Sequence, residues 1–246
     1  SASGIFKELA ILLLIIICLF SILPFPVFAV DLDGVASYVD LGSNLAIGGQ
    51  NQMTITLWMR PNALAADTRG IFHKWLSSNG PIIYSSTQNL IWQMGGSNMN
   101  SSSFVTNMLK AGVWQHIAVT FLEAGASTDV EQMYYNGLFV GSSATITGTN
   151  TNPAVSAKVG SNAGGLSFFN GQISDVRVYN KVLAPGEIRA IMYGNVKVAS
   201  GNLVGYFPLL SEANSYEPDF SGMGNVGNNI SGGLRGRLSP ALRFRR

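Results

Sequence analysis

One cysteine, Cys18, stands in 246 residues, inside an apolar run near the N-terminus. Nothing downstream of it can close a disulfide or present a thiolate. Charge is also scarce, with 11% Asp, Glu, Lys and Arg and a formal net charge of +2. A chain this close to neutral builds no field that would gather nucleic acid. The two histidines, His73 and His116, are isolated, with no partner at a zinc-ligand spacing. No Gly-x-Ser-x-Gly elbow occurs, which excludes the common serine hydrolase arrangement. The Glu-x-Asp-x-x-Glu pattern of one class of polysaccharide hydrolases is missing as well. Asp129 and Glu131 come nearest to a spaced acidic pair, and they lack a third acid. No residue is therefore assigned a catalytic role, and no enzymatic activity is expected.

What the chain does have is hydrophobicity, at 47% of residues, and an abundance of Gly, Ser, Asn and Thr that suits a sheet protein with many turns. Part of the apolar content is concentrated at the start. Lys7 precedes the uncharged run Leu9 to Phe20, followed by Pro24, Pro26 and Val27-Phe28-Ala29. This is the pattern of a secretory signal peptide cleaved after Ala29. Two alternatives stay open for residues 5–29: an uncleaved membrane anchor, or an assembly helix of a filament, because the start Gly4 to Glu8 resembles that of type IV pilins. Export without disulfides points to a secreted or cell-surface protein of a bacterium or archaeon.

Beyond Ala29, short alternating segments recur between turn residues. Met53 to Met59 sets Met53, Ile55, Leu57 and Met59 on one side and Thr54, Thr56 and Trp58 on the other. Gln115 to Leu122 alternates in the same way, and Gly70 to Trp75, Pro81 to Ser85 and Asn89 to Met94 are apolar runs of strand length. Asn136-Gly137, between Tyr134-Tyr135 and Leu138-Phe139-Val140, predicts a two-residue hairpin turn. Ile173 to Tyr179 is a strand with Val176 and Val178 on one side. Pro185 opens a short helix whose face Ile188, Ile191 and Met192 is expected to lie over an open end of the sandwich. Asn202 to Leu209 is one more strand. The predicted fold is all-β: an antiparallel two-sheet β-sandwich with one short helix near its C-terminal end and an apolar N-terminal helix. The predicted organisation is residues 1–29 as leader or N-terminal helix, 30–212 as the sandwich, and 213–246 as a Gly/Ser/Asn-rich, basic tail or the start of a truncated repeat.

Several fragments carry a family resemblance. They are Leu32-Asp33-Gly34-Val35 with Tyr38-Val39-Asp40-Leu41, Ile55 to Pro61, Gly112 to Thr120, Tyr135-Asn136-Gly137 and Gly171 to Met192. In this order the chain resembles the laminin-G-like, concanavalin A-like jelly rolls, in the bacterial branch related to pentraxins. Leu203 to Leu209 with Asp219 to Asn225 is similar to a stretch that often opens such a domain, so it either closes this jelly roll or begins a second copy. The resemblance implies a non-catalytic module for recognition or adhesion, with a glycan or cell-surface protein as partner. It implies a Ca2+ site too, for which Asp33 and Asp175 are the candidates, since a hard cation takes oxygen ligands. His116 lies where the family tolerates a structural histidine. Sugar binding calls for aromatic platforms beside amides and hydroxyls, and Trp75, Tyr84, Trp92, Asn100 and Tyr135 are the candidates. Asn100-Ser101-Ser102 and Asn229-Ile230-Ser231 match glycosylation sequons.

Overall fold

The computed structural model describes residues 29–47, 51–76, 80–94, 99–100, 105, 107–124, 129–143, 153–162, 164–195, 197–209 and 216–230. The apolar segment before Ala29 and the basic end from Arg235 lie outside the described residues.

Among the described residues, fifteen strands form two antiparallel sheets. The seven-stranded sheet contains β1 (Val30–Asp33), β12 (Asn170–Tyr179), β3 (Gln52–Pro61), β8 (Gln115–Leu122), β9 (Val130–Tyr135) and β10 (Leu138–Ser143) in that order, with β13 (Leu203–Phe207) also on β12. The eight-stranded sheet runs β14 (Tyr216–Pro218), β15 (Val226–Ile230), β2 (Tyr38–Asp40), β11 (Lys158–Val159), β4 (Thr68–His73), β5 (Pro81–Ser86), β6 (Asn89–Met94) and β7 (Met99–Asn100). One helix, α1 (Pro185–Met192), follows β12.

The alternation seen in the sequence places the core. Ile55, Leu57 and Met59 of β3 and Ile117, Val119 and Phe121 of β8 meet Val39, Val159, Phe72, Ile83 and Trp92 of the other sheet in one buried cluster. Each such side chain contributes roughly 1.5–3 kcal/mol on leaving water. The hairpin between β9 and β10 turns at Asn136 and Gly137, whose φ angles of 49° and 74° meet the demand of a type I′ turn.

Strand β12 departs from a simple strand. Its register against β3 shifts between Ser174 and Arg177, and Asp175 has a φ of 52°. This bulge lets Ile173 and Val176, three residues apart, both face the core. It also divides the strand's far edge, so β1 pairs with Asn170 to Ile173 and β13 with Val176 to Tyr179.

The C-terminal stretch completes this sandwich. β13 joins β12, and β15 pairs with β2 while β14 pairs with β15. The sandwich thus continues to Ile230, past the boundary expected at residue 212. The polar composition of 213–230 misled because the loop between β14 and β15 is organised by hydrogen bonds instead of apolar burial. Asp219 accepts the N–H groups of Tyr206 at 2.9 Å and Ser221 at 2.8 Å, the Ser221 hydroxyl at 2.7 Å and the Asn225 amide at 2.7 Å. Although burial opposes its charge, these donors hold its carboxyl below the ordinary range.

Helix α1 starts with Pro185 at its first turn, and Glu187 closes a loop at the N-terminus by accepting the Ala184 N–H at 2.7 Å and the Lys181 ammonium at 2.7 Å. It does not cap an end of the sandwich. Ile188 and Ile191 pack with Leu183 and Leu203 on Ala118, Tyr134 and Tyr179, which lie on the outer face of the seven-stranded sheet.

Candidate functional site

The two sheets present very different outer faces. On the seven-stranded sheet, cross-strand partners form a row Tyr206, Arg177, Thr56, Ala118, Tyr134 and Phe139. From Arg177 to Tyr134 every member is buried. Arg177 donates Nε and Nη2 to the two Asp175 oxygens at 2.8 and 3.1 Å and Nη1 to the Asn195 carbonyl at 3.0 Å, with its guanidinium 4.5 Å from the Tyr206 ring centre. This geometry is bidentate and stacked, the use for which arginine is suited. His116 lies one row along, its ring 5.3 Å from that of Trp58. Burial, reinforced by Arg177, pushes its pKa down to about 3, so it is neutral.

The eight-stranded sheet is arranged differently. Phe72, Ile83 and Trp92 point into the core, so their strand neighbours point out. The outward row is Asn228, Asp40, Lys158, His73, Ile82 and Gln93. Tyr84 lies two residues along β5 from Ile82, and Trp75 two residues beyond His73. Both aromatics are half-buried; Tyr84 lies within β5 on its outward side, and Trp75 stands just beyond the end of β4. Tyr38 borders the same face, with the Lys158 ammonium 4.8 Å from its ring centre and the Phe168 ring at 6.3 Å. The Phe168 loop approaches closely because position 70 is glycine: a Cβ there would run into the backbone of Ser161. Helix α1 packs on the other sheet and not on this face.

Two buried polar groups underlie it. His73 is 7% exposed, and its Nδ1 has no hydrogen-bond partner among the described residues. Burial, with Lys158 nearby, lowers its pKa to about 4. Lys74, fully buried, donates its ammonium to the carbonyls of Ser43 at 2.9 Å and Val155 at 3.0 Å, which fixes the rim beside Trp75. Burial pushes its pKa down.

Of the aromatic candidates, Tyr84 lies on the outward side of β5 and Trp75 just beyond the end of β4; the other candidates lie elsewhere. Trp92 is at 0% exposure in the core and cannot serve as a sugar platform; its alternation within β6 decides this. Asn100 pairs through its backbone with Ile91 in edge strand β7, and its side chain lies outside the described residues. Tyr135 lines a separate depression of about 370 Å³ at the β9–β10 hairpin. His73, Lys158 and Gln93 were not singled out as site residues in the sequence. Only cross-strand register aligns them, and register is a long-range property.

Asp33 and Asp175 do not fit a shared calcium. Asp33 Oδ1 accepts the N–H groups of Val35, Ala36 and Ser37 at 2.8, 3.0 and 3.0 Å. Burial opposes its charge, but these donors hold the carboxyl at about 2. Asp175 is spent on Arg177. Asp33 pairs with Asn170, five residues before Asp175 on β12, which separates the two carboxylates by roughly 15 Å. Calcium needs six to eight converging oxygens, and among the described residues no three His, Cys, Asp or Glu converge. The acidic pair Asp129 and Glu131 is buried, with Asp129 Oδ1 accepting the Ala124 N–H at 2.9 Å.

The architecture is an antiparallel jelly-roll sandwich with α1 packed on the outer face of the seven-stranded sheet. The chain belongs to the concanavalin A-like lectin/glucanases superfamily, whose laminin-G model matches residues 33–189. Among solved structures it is similar to a protein of Bacteroides ovatus provisionally assigned to carbohydrate binding, with a TM-score of 0.65 and 16% identity over 87% of this chain and 60% of that one. The chain thus spans little more than half of that relative's length. It is also similar to a native heptameric SAP-like pentraxin of Limulus polyphemus, with a TM-score of 0.59 and 14% identity over 88% of this chain and 97% of that one. At these identities the likeness concerns the fold. No curated protein matches the chain in sequence.

Proposed function

We propose that the domain is a non-catalytic glycan-recognition module acting outside the cell, with the outer face of the eight-stranded sheet as its binding surface. One observation carries this reading: Tyr84 borders an outward row that includes Lys158, His73 and Gln93, and Trp75 follows His73 two residues beyond the end of β4. Aromatic rings accept the apolar faces of sugars, and the row supplies donors and acceptors for hydroxyls. The carbohydrate-binding assignment of the Bacteroides ovatus relative supports the ligand class, and the signal-like segment before Ala29 supports export. A glycan array probed with the wild-type domain, Trp75→Ala and Tyr84→Ala provides the test. The expected outcome is a defined set of glycans retained by the wild type and weakened about tenfold by either change, about 1.4 kcal/mol. Equal binding by all three proteins would overturn the assignment of this face.

A further inference from the structure

The depression at the β9–β10 hairpin is built independently of the open face. Its described lining is Val105, Asn107, Met108 and Lys110 on one side and Tyr135 with Leu138 to Val140 on the other. Its floor is held rigid by Gln115, which is fully buried. Gln115 Oε1 accepts the Tyr135 hydroxyl at 2.9 Å and the Lys110 backbone N–H at 2.9 Å, while its Nε2 donates to the carbonyls of Lys110 at 2.7 Å and Val113 at 3.0 Å. The polar end of Tyr135 is thereby occupied, and its ring is fixed in place. Leu138, the cross-strand partner of Tyr135, stands beside it with 67% of its surface exposed, a large apolar group open to a ligand. At about 370 Å³ the depression falls within the range of small-molecule sites.

Charge selects the occupant. Lys110 is the one ionised side chain among the described lining residues, and none of them is acidic. The nearest acid on the hairpin strands, Glu131, is four residues back along β9 and buried. On the other side of the turn the Arg189 side chain lies against Gly137, where a Cβ would meet its Cγ at 2.9 Å. An aromatic floor, an Asn107 amide and a cation at the rim complement a sugar ring that carries a carboxylate. The apolar ring face meets Tyr135 and Leu138, hydroxyls meet Asn107, and the carboxylate meets Lys110.

We infer that this depression is a second glycan site, selective for a carboxylated sugar residue. The ligand class rests on the proposed function, but the location does not rest on the open face. The test is titration of the domain with uronic-acid oligosaccharides and with the same oligosaccharides after reduction of their carboxyl groups, followed by amide chemical shifts and calorimetry. The expected result is that the acidic sugars shift residues 107–110 and 135–140, that carboxyl reduction weakens this binding at least tenfold, and that Lys110→Met does the same. Lys110 contributes only backbone atoms to the Gln115 network, so this variant keeps the fold. Leu138→Ala provides a second, charge-independent check and should weaken the acidic sugar severalfold. The inference is overturned if acidic and reduced sugars bind alike, or if Lys110→Met binds unchanged. Binding confined to the open face, and sensitive to Trp75→Ala alone, would overturn this site while leaving the proposed function standing. Absence of any glycan binding would overturn both.

Discussion

The outer faces of the two sheets began from similar local patterns and were put to opposite uses. Thr54, Thr56 and Trp58 alternate with core residues in β3 just as Ile82 and Tyr84 do in β5. Yet β3 is buried on both sides, and the chain after β12 folds back across it, with the Thr54 hydroxyl donating to the Lys181 carbonyl at 2.6 Å and accepting the Leu183 N–H at 3.0 Å. The helix-covered face invests its polar groups in one another, as in the Asp175, Arg177 and Asn195 cluster. On the eight-stranded sheet Tyr84, Lys158 and Gln93 are half-buried, whereas His73 and Ile82 between them are buried.

Substitutions should divide along the same line. The largest expected effect is at Arg177, where Arg177→Met leaves Asp175 and the Asn195 carbonyl without their partner. A loss of about 3–5 kcal/mol is expected in urea denaturation, the usual cost of removing one member of a buried ion pair. If instead the variant is nearly as stable as the wild type, the covered face is not held by this cluster. Next is Ile191→Ala, which opens a cavity between α1 and the sheet and should cost about 2–4 kcal/mol by the same measurement.

Acid titration compares one histidine from each face. His73 and His116 have native pKa values of about 4 and 3, below the 6.5 of an unfolded histidine. Between pH 6.5 and 4 the unfolded chain therefore binds protons that the native protein does not, and stability falls as pH drops through that window. The depressed carboxyls Asp33 and Asp219 act lower down, since their stabilisation is lost only as pH falls below about 3.8. A combined loss of roughly 3 kcal/mol or more is expected by pH 4, and replacing both histidines with Gln should flatten the curve. A curve equally steep in the double variant would mean that other groups govern acid stability. The smallest stability effect belongs to the open face. Tyr84→Ala should cost less than about 1.5 kcal/mol of folding free energy while weakening glycan retention, which would show that this surface serves binding more than folding.

Much of this architecture was legible beforehand, for identifiable reasons. The Asn136-Gly137 turn, the Pro185 helix start and the core sides of β3, β8 and β12 follow from local stereochemistry and period-two alternation. The site was less legible. Trp92 and Tyr84 are both aromatics in short apolar runs, and only the side of the sheet on which each falls separates a core residue from a platform. Asp175 looked like a metal ligand until the bulge in β12 turned it toward Arg177. The stretch from residue 213 read as a tail because Asp219 orders it through backbone donors, which leave no apolar pattern.

By itself the sequence determined the fold class and many of the strands and turns, since these depend on neighbours a few residues apart. The tertiary structure alone decided which face is covered, which polar groups align across strands, and how the C-terminal strands complete the sheet. Those outcomes rest on register and packing between residues far apart in the chain, where a shift of one residue exchanges the inside of a strand for its outside.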